Sequence, residues 1–300
     1  MKQKGSVVQL DRISDFGSEG WGFESSLGHL FFLFFIITNL QAQTIISEIE
    51  LPGSVYETSG LEKVENNLIT LNDSGNQPVL YYLNESGKLI SKRNFSELQN
   101  NDWEDLTVDD EFIYIADIGN NFDSRKNLQI VKVPIDPKTD RAEFINFYYP
   151  EQEDFSFKQL SMYDAEGLIS ISDYLLIFTK NRAKKITEIY KLPKKEGNYK
   201  AELIGEINIE SIVTAADYNK KLRLLVLTST KDFNEYYIHK IKKFNISRLK
   251  NLKIETYKIS IAKTQVESIK IIDKNTFWVT SEAETFGSPM MYKIKINSVH

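Results

Sequence analysis

The stretch Asp164-Ala-Glu-Gly-Leu168 decides the fold, because variants of it recur along the chain. The other copies are Glu57-Thr-Ser-Gly-Leu61, Asp102-Trp-Glu-Asp-Leu106, Thr214-Ala-Ala-Asp-Tyr218 and Gln265-Val-Glu-Ser-Ile269. Their central positions, 59, 104, 166, 216 and 267, are 45, 62, 50 and 51 residues apart. A repeat of about 40–50 residues is typical of one four-stranded blade of a β-propeller. The spacing therefore predicts a ring of such blades.

Each copy is followed by further short segments rich in β-branched and aromatic residues, as expected for strands. Second strands such as Phe112-Ile-Tyr-Ile-Ala-Asp117 end in polar residues, and a fourth strand is visible in every repeat except the last. The sequence predicts an all-β chain that forms a single β-propeller of five four-stranded blades. The 62-residue second repeat leaves a six-bladed alternative open, with a degenerate blade within 134–163.

The strand that the last repeat lacks has a candidate at the other end of the propeller region. Thr44-Ile-Ile-Ser-Glu-Ile-Glu-Leu51 has the length and composition of a strand. If it completes the last blade, the N-terminal strand closes the ring and leaves no open sheet edge at the seam. We therefore assign residues 44–300 to the propeller domain.

The N-terminal region contains an apolar run of 11 residues over 30–40, followed by Gln41-Ala-Gln43. Such a run is too short to span a bilayer, which needs about 20 residues, but suits the core of a signal peptide. Acidic residues precede the run where a signal peptide carries basic ones, and this stretch resembles a translated transfer-RNA gene. We interpret 1–26 as a mis-called extension and 27–43 as a signal peptide. The protein is thus predicted to be extracytoplasmic, periplasmic or secreted.

Composition excludes several classes of function. Without residues 1–43 the chain carries 34 basic and 38 acidic residues and no basic run, so no nucleic-acid partner is expected. The absence of cysteine from the sequence excludes disulfides, thiolate metal sites and a lipid anchor on cysteine. We expect a monomer without a membrane anchor, whose partner is a small molecule.

The recurring acids should converge at one mouth of the ring. The first strand of each blade is innermost, and its start lies beside the end of the second strand. Residues two apart point the same way, which gives two tiers. The deeper tier is Ser59, Glu104, Glu166, Ala216 and Glu267, and the outer tier is Glu57, Asp102, Asp164, Thr214 and Gln265.

Crowded carboxylates repel one another unless they are protonated, paired or bound to a cation. Oxygen ligands without His or Cys favour a hard ion, Ca²⁺ before Mg²⁺. The candidate metal ligands are Glu57, Glu104, Glu166 and Glu267. The candidate ligand-binding residues are Asp73, Asp102, Asp117, Asp164, Lys180, Asn181, Arg182 and Glu282. The alternative is that the acids cap backbone N–H groups of the next blade, and the two roles can hold for different tiers.

Three other features bear on the chemistry. Lys180, Arg182 and Arg125 suit an anionic ligand beside a bound cation, although charge balance with Glu166 or Asp117 is the favoured interpretation of Lys180 and Arg182. We interpret Asp117-Ile-Gly-Asn-Asn121 as a turn with Gly119 at positive φ. His239 lies in a third strand, so the sequence offers no evident Ser-His-Asp triad. Catalysis, if there is any, would use water activated by a cation.

Taken together, these signatures resemble those of an exported bacterial β-propeller family related to the esterase-like phytase and SdiA-regulated propellers. The resemblance covers about residues 55–295 and rests on the repeated copies, Asp117-Ile-Gly-Asn-Asn121 with Arg125, Val213-Thr-Ala-Ala-Asp217 and Thr280-Ser-Glu282. It implies hydrolysis, but the propeller fold hosts many functions. We expect a ligand- or cation-binding protein, with a calcium-dependent hydrolase of small esters, lactones or phosphoesters as the alternative and an interaction module as a third class.

Overall fold

The computed structural model describes residues 43–139, 141–261, 265–283 and 287–297. The extension predicted over 1–26 and all but the last residue of the predicted signal peptide lie outside the described residues. Within the described ranges, no helix has both the length and the apolar character needed to cross a membrane. The helix found there is the 3₁₀ turn η1 (Gly53–Val55).

The described chain forms five antiparallel sheets arranged as a five-bladed β-propeller, which confirms the predicted fold class. Blade 1 contains β2 (Thr58–Val64), β3 (Asn67–Asn72), β4 (Val79–Leu83) and β5 (Leu89–Asn94). Blade 2 contains β6 (Trp103–Val108), β7 (Phe112–Asp117), β8 (Leu128–Pro134) and β9 (Glu143–Tyr148). Blade 3 contains β10 (Ala165–Ile171), β11 (Tyr174–Thr179), β12 (Thr187–Pro193) and β14 (Glu202–Ile207). Blade 4 contains β15 (Ile212–Asn219), β16 (Leu224–Lys231), β17 (Glu235–Lys242) and β18 (Ile254–Ile259).

Blade 5 is closed by the N-terminal strand, as predicted. It contains β19 (Val266–Ile271), β20 (Thr276–Ser281), β21 (Met290–Ile296) and β1 (Gln43–Glu50). Strand β1 pairs antiparallel with β21 from Gln43 opposite Ile296 to Glu50 opposite Met290. The first strands of the five blades lie side by side around the ring, with β19 next to β2 at the seam. Pairing of the two ends of the domain therefore holds the ring closed.

The long second repeat holds no sixth blade in the described part of 134–163. It holds the fourth strand, β9, and a long irregular connection to blade 3. A strand that the sequence did not predict, β13 (Gly197–Lys200), comes from the β12–β14 connection of blade 3 and pairs parallel with β9. It covers the outer edge of blade 2, which would otherwise expose unpaired backbone groups.

Buried apolar side chains fill the spaces between neighbouring blades. One cluster joins blades 2 and 3, and it includes Tyr114, Ile130, Leu168 and Ile177. Trp103 is completely buried in a cluster that joins blades 1 and 2. These alternating side chains of each sheet fix the tilt of the blades and so the position of every first strand around the axis.

A β-bulge near the start of each first strand sets the direction of the axial side chains. In blades 2 to 5 the first strand has one extra residue where its pairing register with the second strand shifts; these residues are Glu104, Glu166, Thr214 and Glu267. In blade 1 the register shifts between Ser59 and Glu62. A bulge re-aims the extra residue and is common at functional mouths. The blade 4 residue of the deeper tier is therefore Thr214, so the prediction of Ala216 was wrong by two residues.

Candidate functional site

All five blades contribute to a small pocket on the ring axis, which we call the axial pocket. Its volume is about 180 Å³. It is lined by Ser59, Asp73, Glu104, Asn121, Glu166, Lys180, Arg182, Phe233, Gln265, Glu267 and Glu282. The bulged residues Glu104, Glu166 and Glu267 come from the first strands, and Asp73, Lys180 and Glu282 directly follow second strands. The pocket is strongly acidic and almost wholly polar.

The structure brings most of the predicted site residues together here. Seven of them line the axial pocket: Asp73, Glu104, Glu166, Lys180, Arg182, Glu267 and Glu282. Asp102 and Asp164 lie beside it, because each has a carboxylate oxygen within 4.8 Å of one on Glu104. Glu57 is not part of the lining, and its carboxylate accepts a hydrogen bond from the Asn76 amide.

Asp117 and Asn181 are directed into the protein instead of the axial pocket. The Asp117 carboxylate accepts hydrogen bonds from Asn101, Gln129, the backbone N–H of Asp102 and, at 2.8 Å, the Arg125 guanidinium. The Asn181 amide donates to Glu188 at 3.0 Å. Both side chains are fully used in holding loops, so neither is placed to contact a ligand.

Two basic residues neutralise the blade 3 side of the axial pocket. Lys180 Nζ lies 2.5 Å from Glu166 Oε1, and the Arg182 guanidinium contacts Asp164. Burial alone would lower the pKa of Lys180, but the carboxylates of Glu166, Glu267 and Asp164 together outweigh this and raise it. These pairs match the charge-balance reading of Lys180 and Arg182.

The side formed by blades 1 and 2 has three carboxylates close together, Asp73, Asp102 and Glu104, which we call the acidic triad. An oxygen from each lies within 4.8 Å of the others. Burial, followed by the charge of Glu166, raises the pKa of Asp73 to about 7. Burial also raises the pKa of Asp102 to about 6, against the opposing effect of Arg125, and that of Glu104 well above its usual value. The triad is thus costly to ionise as it stands.

Blade 5 supplies two further acids. Glu267 is 8% exposed, and its Oε2 atom is buried without a hydrogen-bond partner among the described residues. Burial raises the pKa of Glu267 well above its usual value, although Lys180 partly offsets this. Burial and the charge of Asp73 raise the pKa of Glu282 to about 8, and its carboxylate accepts a hydrogen bond from Gln265 at 3.0 Å.

Gly119 allows the backbone to approach the acidic triad closely. A Cβ atom on Gly119 would lie 2.1 Å from Glu104 Oε1 and 2.4 Å from Asp102 Oδ2. Its φ is not positive, so the predicted reason for this glycine was wrong. Lack of space, not backbone conformation, requires the glycine.

Other acids in the first strands cap backbone groups of the next blade. Asp105 accepts from the N–H of Leu168 at 2.8 Å, and Asp217 accepts from the N–H of Ile271 at 2.6 Å. Asp105 and Asp217 therefore join neighbouring blades in the way that the capping alternative describes, whereas the acidic triad lies one step nearer the mouth. The sequence did not distinguish these two positions, because they differ only by their place relative to the bulge.

A second charged group, which the sequence reasoning missed, lies deeper in the first strands. Lys270 Nζ is 2.5 Å from Glu62 Oε2 and 2.8 Å from Asp217 Oδ1. We call these three residues the basal triad. They come from blades 5, 1 and 4, and all are largely buried, so they link the blades on both sides of the seam.

His239 forms hydrogen bonds with two hydroxyl side chains, but the group is buried inside blade 4. His239 Nε2 lies 2.7 Å from Ser229 Oγ, and His239 Nδ1 lies 2.9 Å from Thr256 Oγ1. Burial lowers the pKa of His239 to about 4, so the ring is neutral. Ser229 is completely buried. The arrangement joins three strands of the blade and offers no accessible nucleophile.

The fold places this chain in the class of five-bladed β-propellers. No protein-family model matches it, and no curated protein matches it in sequence. Among solved structures, it is similar to the PQQ-bound aldose sugar dehydrogenase from Streptomyces coelicolor, with 8% identity, 85% of this chain and 98% of that chain covered, and a TM-score of 0.50. A chain of the mitotic checkpoint complex covers 85% of this chain and 96% of its own at 12% identity and a TM-score of 0.44.

The computationally designed Ika4 protein has 11% identity, with 71% of this chain and 97% of that chain covered, and a TM-score of 0.34. Such low identities concern the fold alone. The resemblance to the esterase-like phytase and SdiA-regulated propellers therefore stays a prediction at the level of family.

Proposed function

We propose that this protein is an extracytoplasmic ligand- and cation-binding propeller whose acidic triad binds a divalent cation, Ca²⁺ in preference to Mg²⁺. The observation that carries the proposal is the packing of Asp73, Asp102 and Glu104 with their carboxylate oxygens within 4.8 Å of one another. In the part of the chain that the structure describes, neither Asp73 nor Glu104 has a basic partner. Arg125 is 3.9 Å from Asp102 and is mainly engaged with Asp117.

Electrostatics support a cation at this position. Three carboxylates packed this closely, with Glu104 buried and Asp73 and Asp102 half-buried, ionise together at low cost only if a positive charge compensates them. Oxygen-only ligands suit a hard cation, and Ca²⁺ accepts six to eight oxygens in flexible geometry, whereas Mg²⁺ demands a near-ideal octahedron. A mouth built from three separate loops and strands favours the more tolerant ion.

A second group of carboxylates, Glu104, Asp164 and Glu166, is also within 4.8 Å. A cation there would have to displace Lys180 and Arg182, which already neutralise Glu166 and Asp164. We therefore assign the cation to the acidic triad, with Glu104 common to both groups.

A calcium-dependent hydrolase ranks below a binding protein. Ser59, the hydroxyl residue in the pocket lining, donates its hydrogen to the carbonyl oxygen of Glu104. The Ser229–His239 pair is buried inside blade 4. Hydrolysis would thus have to rely on water activated by the cation alone.

Calorimetry with chelator-treated protein tests the proposal. We expect Ca²⁺ to bind once, with a dissociation constant of about 10⁻⁴ to 10⁻³ M, as in extracellular calcium modules, and Mg²⁺ to bind more weakly. Glu104→Gln should abolish the heat, whereas Glu111→Gln, an exposed acid in the β6–β7 hairpin, should leave it unchanged. Absence of both heat and thermal shift with Ca²⁺ at about 10 mM would refute the proposal, since that concentration exceeds the expected constant.

A further inference from the structure

The axial pocket has one apolar member, Phe233, which stands at its lip. The ring is 57% exposed, although it belongs to the lining of an otherwise polar pocket. At about 180 Å³ the pocket can hold a charged group but not a whole organic molecule, since sites for such ligands measure about 300–1,000 Å³. A larger ligand would have to extend over the lip and contact Phe233.

Phe233 is held there in an unfavourable backbone conformation. Asp232 and Phe233, in the turn between β16 and β17, have φ values of 51° and 54°, and the N–H of Asn234 donates to the carbonyl of Lys231 at 3.1 Å. Two successive positive φ values are the signature of a turn that prefers Asn-Gly. A bulky side chain is an outlier at such a position, and outliers of this kind are typical of ligand-binding sites.

Glu267 lies in the same lining and has an unused binding capacity. Its Oε2 atom accepts no hydrogen bond from any residue in the ranges that the structure describes, although the residue is more than nine-tenths buried. A carboxylate together with an aromatic ring suits an organic amine, because the carboxylate pairs with the ammonium group and the ring packs against the hydrocarbon part. A metal ion makes no use of Phe233, and an anion would be repelled by the acids around Glu267.

We propose that the axial pocket takes the ammonium end of an organic amine at Glu267, with the hydrocarbon part of the amine packed against Phe233. The proposal deepens the cation-binding function proposed above, because it relies on the same acidic mouth but on different residues. The ammonium group donates a hydrogen bond to the Glu267 carboxylate, which lines the axial pocket. The hydrocarbon part of the amine covers the Phe233 ring, which the β16–β17 turn holds at the edge of the axial pocket.

Three small probes test the proposal by calorimetry: benzylammonium, methylammonium and the neutral benzyl alcohol. We expect benzylammonium to bind more tightly than methylammonium and benzyl alcohol to show no binding. Glu267→Gln should abolish binding of both amines. Phe233→Gly should weaken benzylammonium about two- to tenfold, the usual effect of losing a contact between two aromatic rings, and leave methylammonium unchanged.

Phe233→Gly also separates ligand contact from folding. Glycine suits the positive φ at this position, so the variant should unfold at an unchanged or higher urea concentration and bind Ca²⁺ as before. Equal binding of benzylammonium and benzyl alcohol, or an undiminished affinity of Phe233→Gly for benzylammonium, would overturn the amine site. Ca²⁺ binding without amine binding overturns only this proposal, whereas amine binding without Ca²⁺ binding overturns only the divalent-cation function.

Discussion

Lys180 Nζ lies 2.5 Å from Glu166 Oε1, and both side chains are buried in the wall of the axial pocket. This ion pair, with that of Arg182 and Asp164, neutralises one side of a mouth whose other side holds the acidic triad, in which Asp73 and Glu104 have no basic partner among the described residues. The protein thus supplies its own positive charge on the blade 3 side, and the acidic triad is the part that can accept one from outside.

Lys180→Met should destabilise the protein by about 3–5 kcal/mol, because it leaves Glu166 buried without its counter-charge. Urea unfolding in the presence of a chelator measures this. Ca²⁺ should recover more stability in the variant than in the native protein, because Glu104, Asp164 and Glu166 then also attract a cation. Lys63→Met is the matched control: Lys63 and Glu85 are 43% and 50% exposed, so its loss should cost less than about 1 kcal/mol. Equal losses in the free energy of unfolding of Lys180→Met and Lys63→Met would contradict the distinction between the buried and the exposed ion pair.

The basal triad should govern stability without affecting the mouth. Lys270→Met leaves Glu62 and Asp217 buried and uncompensated across the seam, at an expected cost of about 3–5 kcal/mol. Its Ca²⁺ dissociation constant should stay within about a factor of two of the native value, because the basal triad supplies no cation ligand. Urea unfolding and calorimetry on the same sample measure the two quantities. A large change in Ca²⁺ affinity would contradict this prediction and show that the basal triad and the acidic triad are coupled.

The stability of the cation-free protein should fall as the pH rises from about 4 to 8. The pKa values of Asp102, Asp73 and Glu282 are raised to about 6, 7 and 8. Since the folded state then holds protons that the unfolded chain has released, the free energy of unfolding decreases with pH across this window. Saturating Ca²⁺ should flatten the decrease, and Ca²⁺ affinity should increase over the same range as bound protons cease to compete.

Urea unfolding at pH 5 and pH 8, with a chelator and with Ca²⁺, measures this dependence. Glu104→Gln is the matching variant, because it removes one carboxylate of the acidic triad and keeps its shape. It should raise the stability of the cation-free protein at pH 8 by at least about 1 kcal/mol, since each unit of raised pKa costs about 1.4 kcal/mol above that pKa. A cation-free protein more stable at pH 8 than at pH 5 would contradict the assigned shifts.

The sequence was sufficient for the blades, because the fold depends on a repeat whose period and strand pattern are visible in the letters. The ring closure followed from counting strands. It was not sufficient for strand β13, whose residues Gly197–Lys200 pair with a strand of a different blade. No local pattern encodes such a pairing, which depends on how the two blades are placed next to each other.

The side chains that face the axis were predicted correctly except where a bulge changes the register. Glu104, Glu166 and Glu267 were located because three of the five copies of the repeat carry an acid at that place. In blade 4 the acid is Asp217, which lies three residues beyond the bulged Thr214 and caps Ile271 instead. A change of register by a bulge has no signature in a single sequence. The blade 4 position of the deeper tier was therefore assigned to Ala216, two residues after Thr214. Asp117 was assigned to the ligand because its environment of four donors could not be known in advance.

Gly119 offers the sharpest test of the mouth geometry. In Gly119→Ala the new Cβ would lie 2.1 Å from Glu104 Oε1 and 2.4 Å from Asp102 Oδ2, so two members of the acidic triad must move apart. Ca²⁺ binding should be lost, and overpacking should cost about 1–3 kcal/mol. Gly53→Ala is the control, because nothing lies within 4 Å of its added Cβ; it should bind Ca²⁺ normally and be as stable as the native protein or slightly more so. Calorimetry and urea unfolding distinguish the two variants, and normal Ca²⁺ binding by Gly119→Ala would show that the cation lies elsewhere.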